Sequence, residues 1–473
     1  MTVFLVGAGP GSLDLLTVKA RDLIQKADCA LVDALASDDI VSLINPNAEI
    51  IDVGKNPKKH RYSQDEINEL LVEKAKQYEC IVRIKGGDPF IFGRGGEEQF
   101  YLTSKGIKCE VVPGISSAFA APAYAGIPVT HRDVAPILTV ATGHEQGEVD
   151  QVDWLALGAS NNPLIILMGV ANRAHISSKL MEGGRSPLEP VAVITNATRE
   201  NQQVKITYLE ELADLEIVSP SVIVVGEIVE KQVPWFEPKA LSGCRVVVAR
   251  PIGRTSVLGA MLREAGASVL EVSPTICQTI EKPVPKIEQD CVLFTSTQGV
   301  DSFLENLHRE GKDWRYLYGK KIFAIGKATG AHLTEHGCNI EAIAHESNSR
   351  GCVKLVKEQG MKSVFLVRPK ESREVIASEL KVSGIEVKEY IVYETVAHPI
   401  NEVVQRRINE ANFIVCAAGS TIRALSEFGK FSCVTIGAET TKVAREYGWN
   451  VLGQANETSI TSLYESVVEV WGK

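Results

Sequence analysis

Short β-branched runs alternate with helix-forming stretches along nearly the whole chain, and this rhythm restricts the fold more than any other feature. TVFLVGAGPG precedes LLTVKARDLIQKA, CIVRIKG precedes EEQFYLTSKG, and RVVVARP precedes SVLGAMLREAG. Strands separated by helices favour parallel pairing, so the pattern predicts an α/β architecture with mostly parallel sheets. A length of 473 residues suggests about three domains. A hydrophobic content of 45% supplies several cores. No apolar run approaches the ~20 residues of a membrane helix, and MTVFLVGAGP reads as a strand entering a glycine loop and not as a signal peptide. Ten cysteines without a CxxC pair suggest neither a zinc site nor a disulfide framework, so a reducing cytoplasm and no metal are expected. Residues 1–240 carry 22 basic against 32 acidic side chains, and residues 241–473 carry 28 against 27. Neither half has the basic surplus of a nucleic-acid binder.

VPWFEPKALSG (Val233–Gly243) has two prolines and a Trp-Phe pair, and a fresh strand follows, so a domain boundary is placed there. Beyond it three segments recur. RVVVARPIGRTSVLGAML resembles SVFLVRPKESREVIASEL, CVLFTSTQGVDSFLENL resembles FIVCAAGSTIRALSEFG, and AIGKATGAHLTEHG resembles TIGAETTKVAREYG. Two copies exclude a solenoid and predict two similar α/β lobes with polar turns after their strands. In open α/β sheets such turns hold ligands at the carboxyl ends of strands.

GAGPGS (Gly7–Ser12) sits between a strand and a helix and imitates a dinucleotide fingerprint. It departs from GxGxxG at Ser12, and Pro10 removes a backbone N–H that a pyrophosphate would use. GGDPFIFGRGGEE (Gly86–Glu98) is too rich in glycine for a regular element. Such a loop lets a ligand approach the backbone closely.

VFLVGAGPGSLDLLTVKA, GKNPKKHRYSQDEIN, VRIKGGDPFIFGRGGEE and VVPGISSAFAAPAYAGIPVTHR, in that order, resemble the uroporphyrinogen-III C-methyltransferase family. The resemblance implies a two-domain tetrapyrrole methylase fold over residues 1–240, a homodimer, and S-adenosylmethionine (SAM) as methyl donor. It implies that Pro10, Gly86, Gly87, Asp88, Ile91, Ser116, Ser117, Met168 and Ala197 contact SAM, with Ala197 standing where the family usually has glycine. It assigns Asp33 as proton acceptor and Lys55 as proton donor; Val32 replaces the family's usual tyrosine. A basic group that includes Lys55, Lys58, Lys59, His60, Arg61, Arg83, Lys85, Arg94, His131 and Arg132 could pair with the eight carboxylates of uroporphyrinogen.

Residues 241–473 resemble uroporphyrinogen-III synthase through VVVARP, VLFTSTQGVDSF, AIGKATG, LVRP, VYETVAHP and TIGAETTKVAREYG. That family has a two-lobed α/β fold, in keeping with the duplication, whose second lobe (about residues 278–393 here) is inserted into the first. It needs no cofactor. Polar turns at helix starts suit substrate carboxylates, which singles out Thr295, Ser296, Gly326, Lys327, Thr329, Ser420 and Thr440. Tyr393 matches a family tyrosine, and the resemblance implies that it assists departure of a hydroxyl. Arg250 and Arg368 end strands and are further candidates. CAAGST stands where the family more often has a Thr-Ser pair.

The expectation is therefore a bifunctional enzyme. It would cyclise hydroxymethylbilane to uroporphyrinogen III with inversion of ring D, then methylate the product twice to precorrin-2. The alternatives are an active methyltransferase fused to a synthase-like module that only binds tetrapyrroles, and a nucleotide-dependent oxidoreductase using GAGPG.

Overall fold

The computed structural model describes residues 1–33, 36–54, 62–132, 134–144, 151–237, 239–249, 256–345, 349–370 and 375–472. Strands β1 (Thr2–Gly7), β2 (Cys29–Val32), β3 (Glu49–Asp52), β4 (Cys80–Lys85) and β5 (Cys109–Val112) form an all-parallel sheet in the order β3-β2-β4-β1-β5. Helices cover a parallel sheet on both faces, which is why β1 and β2 read as continuous apolar runs. Strand β4 breaks that rule. It sits in the middle of the sheet yet carries Arg83 and Lys85, both buried.

Strands β6 (Thr139–Thr142), β7 (Leu164–Leu167), β8 (Pro190–Thr195), β9 (Gln203–Tyr208) and β10 (Ser221–Val225) build a second sheet, ordered β6-β7-β10-β8-β9. Only β6 and β7 run parallel, and the other three pairings are antiparallel. The reading of mostly parallel strands does not hold for this sheet. The link from β8 to β9 is too short for a helical crossover, so the chain must turn back on itself.

Strands β11 (Arg245–Ala249) and β12 (Ser268–Val272) begin a third sheet. The chain then runs through β13 (Thr275–Thr279), β14 (Cys291–Phe294), β15 (Lys321–Ala324), β16 (Ala342–Ile343), β17 (Ser363–Pro369) and β18 (Glu386–Ala397). It returns for β19 (Phe413–Cys416), β20 (Ser432–Thr435) and β21 (Asn450–Gln454). The third sheet is ordered β12-β11-β19-β20-β21, and the fourth β13-β18-β17-β14-β15-β16. Without the antiparallel edge strand β13, the two orders match strand for strand and all pairings are parallel. The repeat in the sequence is thus a repeat of topology. Each lobe combines the first segment of one copy with the second and third segments of the other.

The chain forms two compact bodies. One holds Met1–Arg250, Arg254–Val272 and Ile400–Lys473, and the other consists almost wholly of Ser273–Pro399. In the first body the third sheet is fastened to the first. The short helix Asp38–Ser42 lies against β12. Asp38 accepts from Arg245 Nη2 at 2.9 Å and Arg407 Nη1 at 2.7 Å, Asp39 accepts from Arg263 Nε at 2.5 Å, and Arg406 pairs with Asp52. The Ser42 hydroxyl accepts from the Glu271 amide at 2.8 Å. One apolar cluster runs through Ile40, Val41 and Ile44 to Leu270, Val272 and Ile408.

Candidate active site

Three loops meet at the carboxyl ends of β1, β4 and β5. Gly87 donates to the Gly9 carbonyl at 2.7 Å, and Gly9 returns a bond to the Gly87 carbonyl at 3.2 Å. A Cβ on Gly114 would stand 2.2 Å from the Gly87 oxygen, and one on Gly7 would stand 2.6 Å from the Gly114 nitrogen. Glycine is required here because the backbones touch. Asp88 holds the junction, one carboxylate oxygen accepting from Gly114 N at 3.0 Å and the other from Phe90 N at 2.8 Å. Gly87, at φ +67°, leaves open the space over Ser116 and Ser117, where its absent Cβ would lie 3.8 Å from the Ser116 Cα. Ser116 caps helix Ser117–Tyr124 by accepting from Ala118 N.

Backbone strain gathers in loops of both sheets of residues 1–240. Among the described residues, the non-glycine positions with positive φ are Phe92, Arg94, Met168, Asn196 and Thr198. All five lie in loops that follow β4, β7 and β8. Such conformations cost of order 1–3 kcal/mol each and gather at functional sites. Ala197 sits between two of them. The Ser12 amide donates to the Thr198 hydroxyl at 3.2 Å, which ties the Pro10 loop to the second sheet. Phe90, Ile91, Phe92 and Met168 leave apolar surface exposed beside these loops.

Asp33 follows β2, and its amide is fixed on the Ile84 carbonyl at 3.2 Å. Arg83 Nη2 lies 3.8 Å from the Asp33 carboxylate. Arg83 Nε and Lys85 Nζ both donate to one oxygen of fully buried Glu98, at 3.3 and 2.9 Å, and Gln64 adds a third bond at 3.2 Å. Burial pushes the Lys85 ammonium below its usual pKa, Arg83 adds to this, and Glu98 opposes it. Arg83, expected at a substrate carboxylate, is satisfied inside the protein. Arg94 is exposed and paired with Glu97 at 2.6 Å. His131 exchanges backbone hydrogen bonds with Ala135, and Arg132 next to it is exposed. Lys55, Lys58, Lys59, His60, Arg61 and Arg250 lie outside the described residues.

A cavity of about 960 Å³ does not contain these groups. It lies at the joint of the first body, lined by Asp38, Asp39 and Asp52 with Arg245, Arg263, Arg406 and Arg407, whose charges are paired with one another.

In the second body, Thr295 and Ser296 follow β14, while Gly326, Lys327 and Thr329 follow β15. Ser296 caps helix Thr297–Arg309 through Gly299 N, and its oxygen lies 3.1 Å from the Tyr393 phenol. The Thr295 hydroxyl donates to the Val367 carbonyl at 2.9 Å. Lys327 is exposed, whereas Thr329 is buried. Arg368 is buried and donates to Glu389 at 2.5 Å, so its charge is neutralised locally. In the first body, Ser420 opens helix Gly419–Leu425 and is half-buried; Thr440, in helix Ala438–Glu446, is buried.

Two families divide the chain between them. Tetrapyrrole (Corrin/Porphyrin) Methylases match residues 2–213, and Uroporphyrinogen-III synthase HemD matches residues 256–465. A porphyrin biosynthesis protein HemD from Ruminiclostridium josui is 32% identical over 99% of this chain and 98% of its own length. The chain belongs to the family of fused tetrapyrrole methylases and uroporphyrinogen-III synthases. Another relative, uroporphyrinogen-III C-methyltransferase of Bacillus subtilis, is 34% identical over 90% of this chain and 87% of its own. The crystal structure of a Thermus thermophilus uroporphyrin-III C-methyltransferase with S-adenosylhomocysteine is 36% identical, covering 49% of this chain and 99% of that one, with a TM-score of 0.44. Such a fused methylase–synthase is a bifunctional enzyme of tetrapyrrole biosynthesis. Sequence reasoning missed Glu98, which looks like one more acid at an exposed helix start. It also missed the Asp38–Asp39 pair, whose cations arrive more than 200 positions later.

Proposed function

We propose that residues 1–240 methylate uroporphyrinogen III twice, giving precorrin-2, and that residues 241–473 first make uroporphyrinogen III from hydroxymethylbilane. The observation that carries the methyltransferase reading is the close backbone junction of Gly7, Gly87 and Gly114 at the carboxyl ends of β1, β4 and β5, beside the helix start at Ser116 and Ser117. Loops that bring backbone this close to a ligand suit SAM, held by Pro10, Gly86, Gly87, Asp88, Ile91, Ser116, Ser117, Met168 and Ala197. Bound SAM supplies an electrophilic methyl group to a nucleophilic ring carbon. Holding the ring beside it provides much of the rate. Asp33 accepts the proton that the methylated ring must lose, and Lys55 donates the compensating proton. Arg83, 3.8 Å from Asp33, helps to orient its carboxylate. Arg94, His131 and Arg132 meet the carboxylates of the macrocycle.

In the synthase half, Thr295, Ser296, Gly326, Lys327, Thr329, Ser420 and Thr440 hold the linear substrate by its acid side chains. Tyr393, hydrogen-bonded to Ser296, delivers a proton to the departing hydroxide, which leaves as water. This half works without a cofactor. The enzyme acts as a cytoplasmic homodimer, a setting that suits ten free cysteines.

The test is anaerobic incubation of the protein with fresh hydroxymethylbilane, with and without SAM. Type III uroporphyrinogen without SAM and dimethylated product with it support the reading. Type I product, formed without the enzyme's help, together with methylation of supplied type III, would confine activity to the first half.

A further inference from the structure

The second body holds a group of side chains that neither reaction uses. Asp301, on helix Thr297–Arg309, faces His332 on helix Lys327–Glu335 and His336 just beyond it. His332 Nε2 lies 2.6 Å from Asp301 Oδ1, and His336 Nε2 lies 3.4 Å from the same oxygen. The ligand atoms of all three fall within 4.8 Å of one another. The two imidazoles are four positions apart, the spacing that puts side chains on one helix face. Their rings meet edge to face at 4.6 Å.

The other side of His332 is also organised. Its Nδ1 lies 3.6 Å from the Glu335 carboxylate, the arrangement that orients a metal-binding histidine. Trp314 Nε1 donates to the His336 carbonyl at 2.9 Å and fixes the helix end. A depression of about 550 Å³, lined by Asp301, Glu305, His308 and His336 among others, leaves room for water or a fourth donor beside the group.

We propose that Asp301, His332 and His336 bind a late first-row divalent cation of the Zn²⁺, Co²⁺ or Ni²⁺ class. Two imidazoles and one carboxylate suit these ions, whereas Mg²⁺ and Ca²⁺ want oxygen. A tetrahedral ion with ligands at roughly 2.0–2.2 Å keeps its donors about 3.4 Å apart. His336 and Asp301 already have that separation. His332 must move back from Asp301 by less than its present hydrogen bond, exchanging an N–H···O contact for two metal bonds. The sequence shows no metal motif because the donors come from two helices. The ion ties together the helices that begin at Ser296–Thr297 and Gly326–Lys327, the two turns assigned above to the synthase substrate. It therefore sets the spacing of those turns without touching the reacting atoms.

The test titrates the purified full chain, stripped of metal, with Zn²⁺ by calorimetry and with Co²⁺ by visible absorption. One equivalent is expected to bind, with intense Co²⁺ bands of a low-coordinate site. Single changes His332→Ala, His336→Ala and Asp301→Asn are each expected to weaken binding at least tenfold. All three side chains are partly exposed, so metal-free variants should melt with the wild type. His336→Gln is the milder change if an alanine variant does not fold. No saturable Zn²⁺ binding by the wild type, or binding that survives these changes, overturns the proposal.

Discussion

The hydroxyl oxygens of Tyr393 and Ser296 stand 3.1 Å apart across a separation of 97 positions. Ser296 also caps its helix, so it is held in place and fixes the phenol in turn. If Tyr393 passes a proton to a leaving hydroxide, Tyr393→Phe removes only the oxygen. Closure of the linear tetrapyrrole should slow on the order of 10²-fold, while methylation of supplied uroporphyrinogen III is unchanged. A purely structural tyrosine would instead lower the melting temperature and leave turnover almost intact.

Glu98 pairs with two buried cations on the central strand β4. Glu98→Ala strands Arg83 and Lys85 in the core and should cost about 3–5 kcal/mol in denaturant unfolding. Glu98→Gln keeps the packing and should cost less, yet still slow methyl transfer because Arg83 is no longer held toward Asp33. Equal methylation rates for the Glu98→Gln variant and the wild type would separate Arg83 from catalysis.

The glycines of one region should respond oppositely. Gly114→Ala drives a Cβ into the Gly87 carbonyl, so it should destabilise by roughly 1–3 kcal/mol and abolish binding of S-adenosylhomocysteine. Gly96→Ala meets nothing within 4 Å inside helix Gly95–Ser104, and it should be neutral or stabilise by up to about 1 kcal/mol. Calorimetric titration and thermal melting of the two variants read both effects.

Asp38 anchors Arg407 at 2.7 Å, and both side chains are largely buried. Asp38→Ala should destabilise by about 3–5 kcal/mol because it leaves that arginine unpaired. The double change with Arg407→Ala should be less harmful than the sum of the single ones, a coupling read by a double-mutant cycle.

Thiol chemistry should be slow in the native state. Burial pushes the pKa of Cys244, Cys291 and Cys352 up to about 12, and that of Cys338 and Cys433 up to about 11. Only the thiolate reacts. At pH 8 these five should resist alkylation until the chain unfolds, and then label together; rapid native labelling, mapped by peptide mass, would contradict the burial.

The sequence displayed its loops better than its charges. GGDPFIFGRGGEE could be read as a close-approach loop because glycine has few other uses there, and the lobes could be read because their segments repeat. The positive φ of Phe92, Arg94 and Met168 left no trace, since any residue can be held so by its surroundings. Arg83 read as a cation for substrate carboxylates because a strand pattern does not reveal a carboxylate supplied by a helix 15 positions on. The antiparallel turn of the second sheet was hidden for a similar reason: apolar patterning alone does not tell β8 and β9 from parallel strands, and only the length of their link decides.

The interleaving of the two lobes has a consequence for how this chain is born. Strand β19, which lies between β11 and β20, is translated only after Ser273–Pro399. The inserted lobe can complete its sheet while the interrupted sheet still lacks β19, β20 and β21. A chain ended at Pro399 and released would therefore carry all strands of one lobe and two orphan strands, β11 and β12, whose parallel edge awaits a partner. Those strands and the helix between them bring Arg245 and Arg263 to Asp38 and Asp39. The pairs that Arg406 and Arg407 make with Asp52 and Asp38 wait for the segment translated after the inserted lobe.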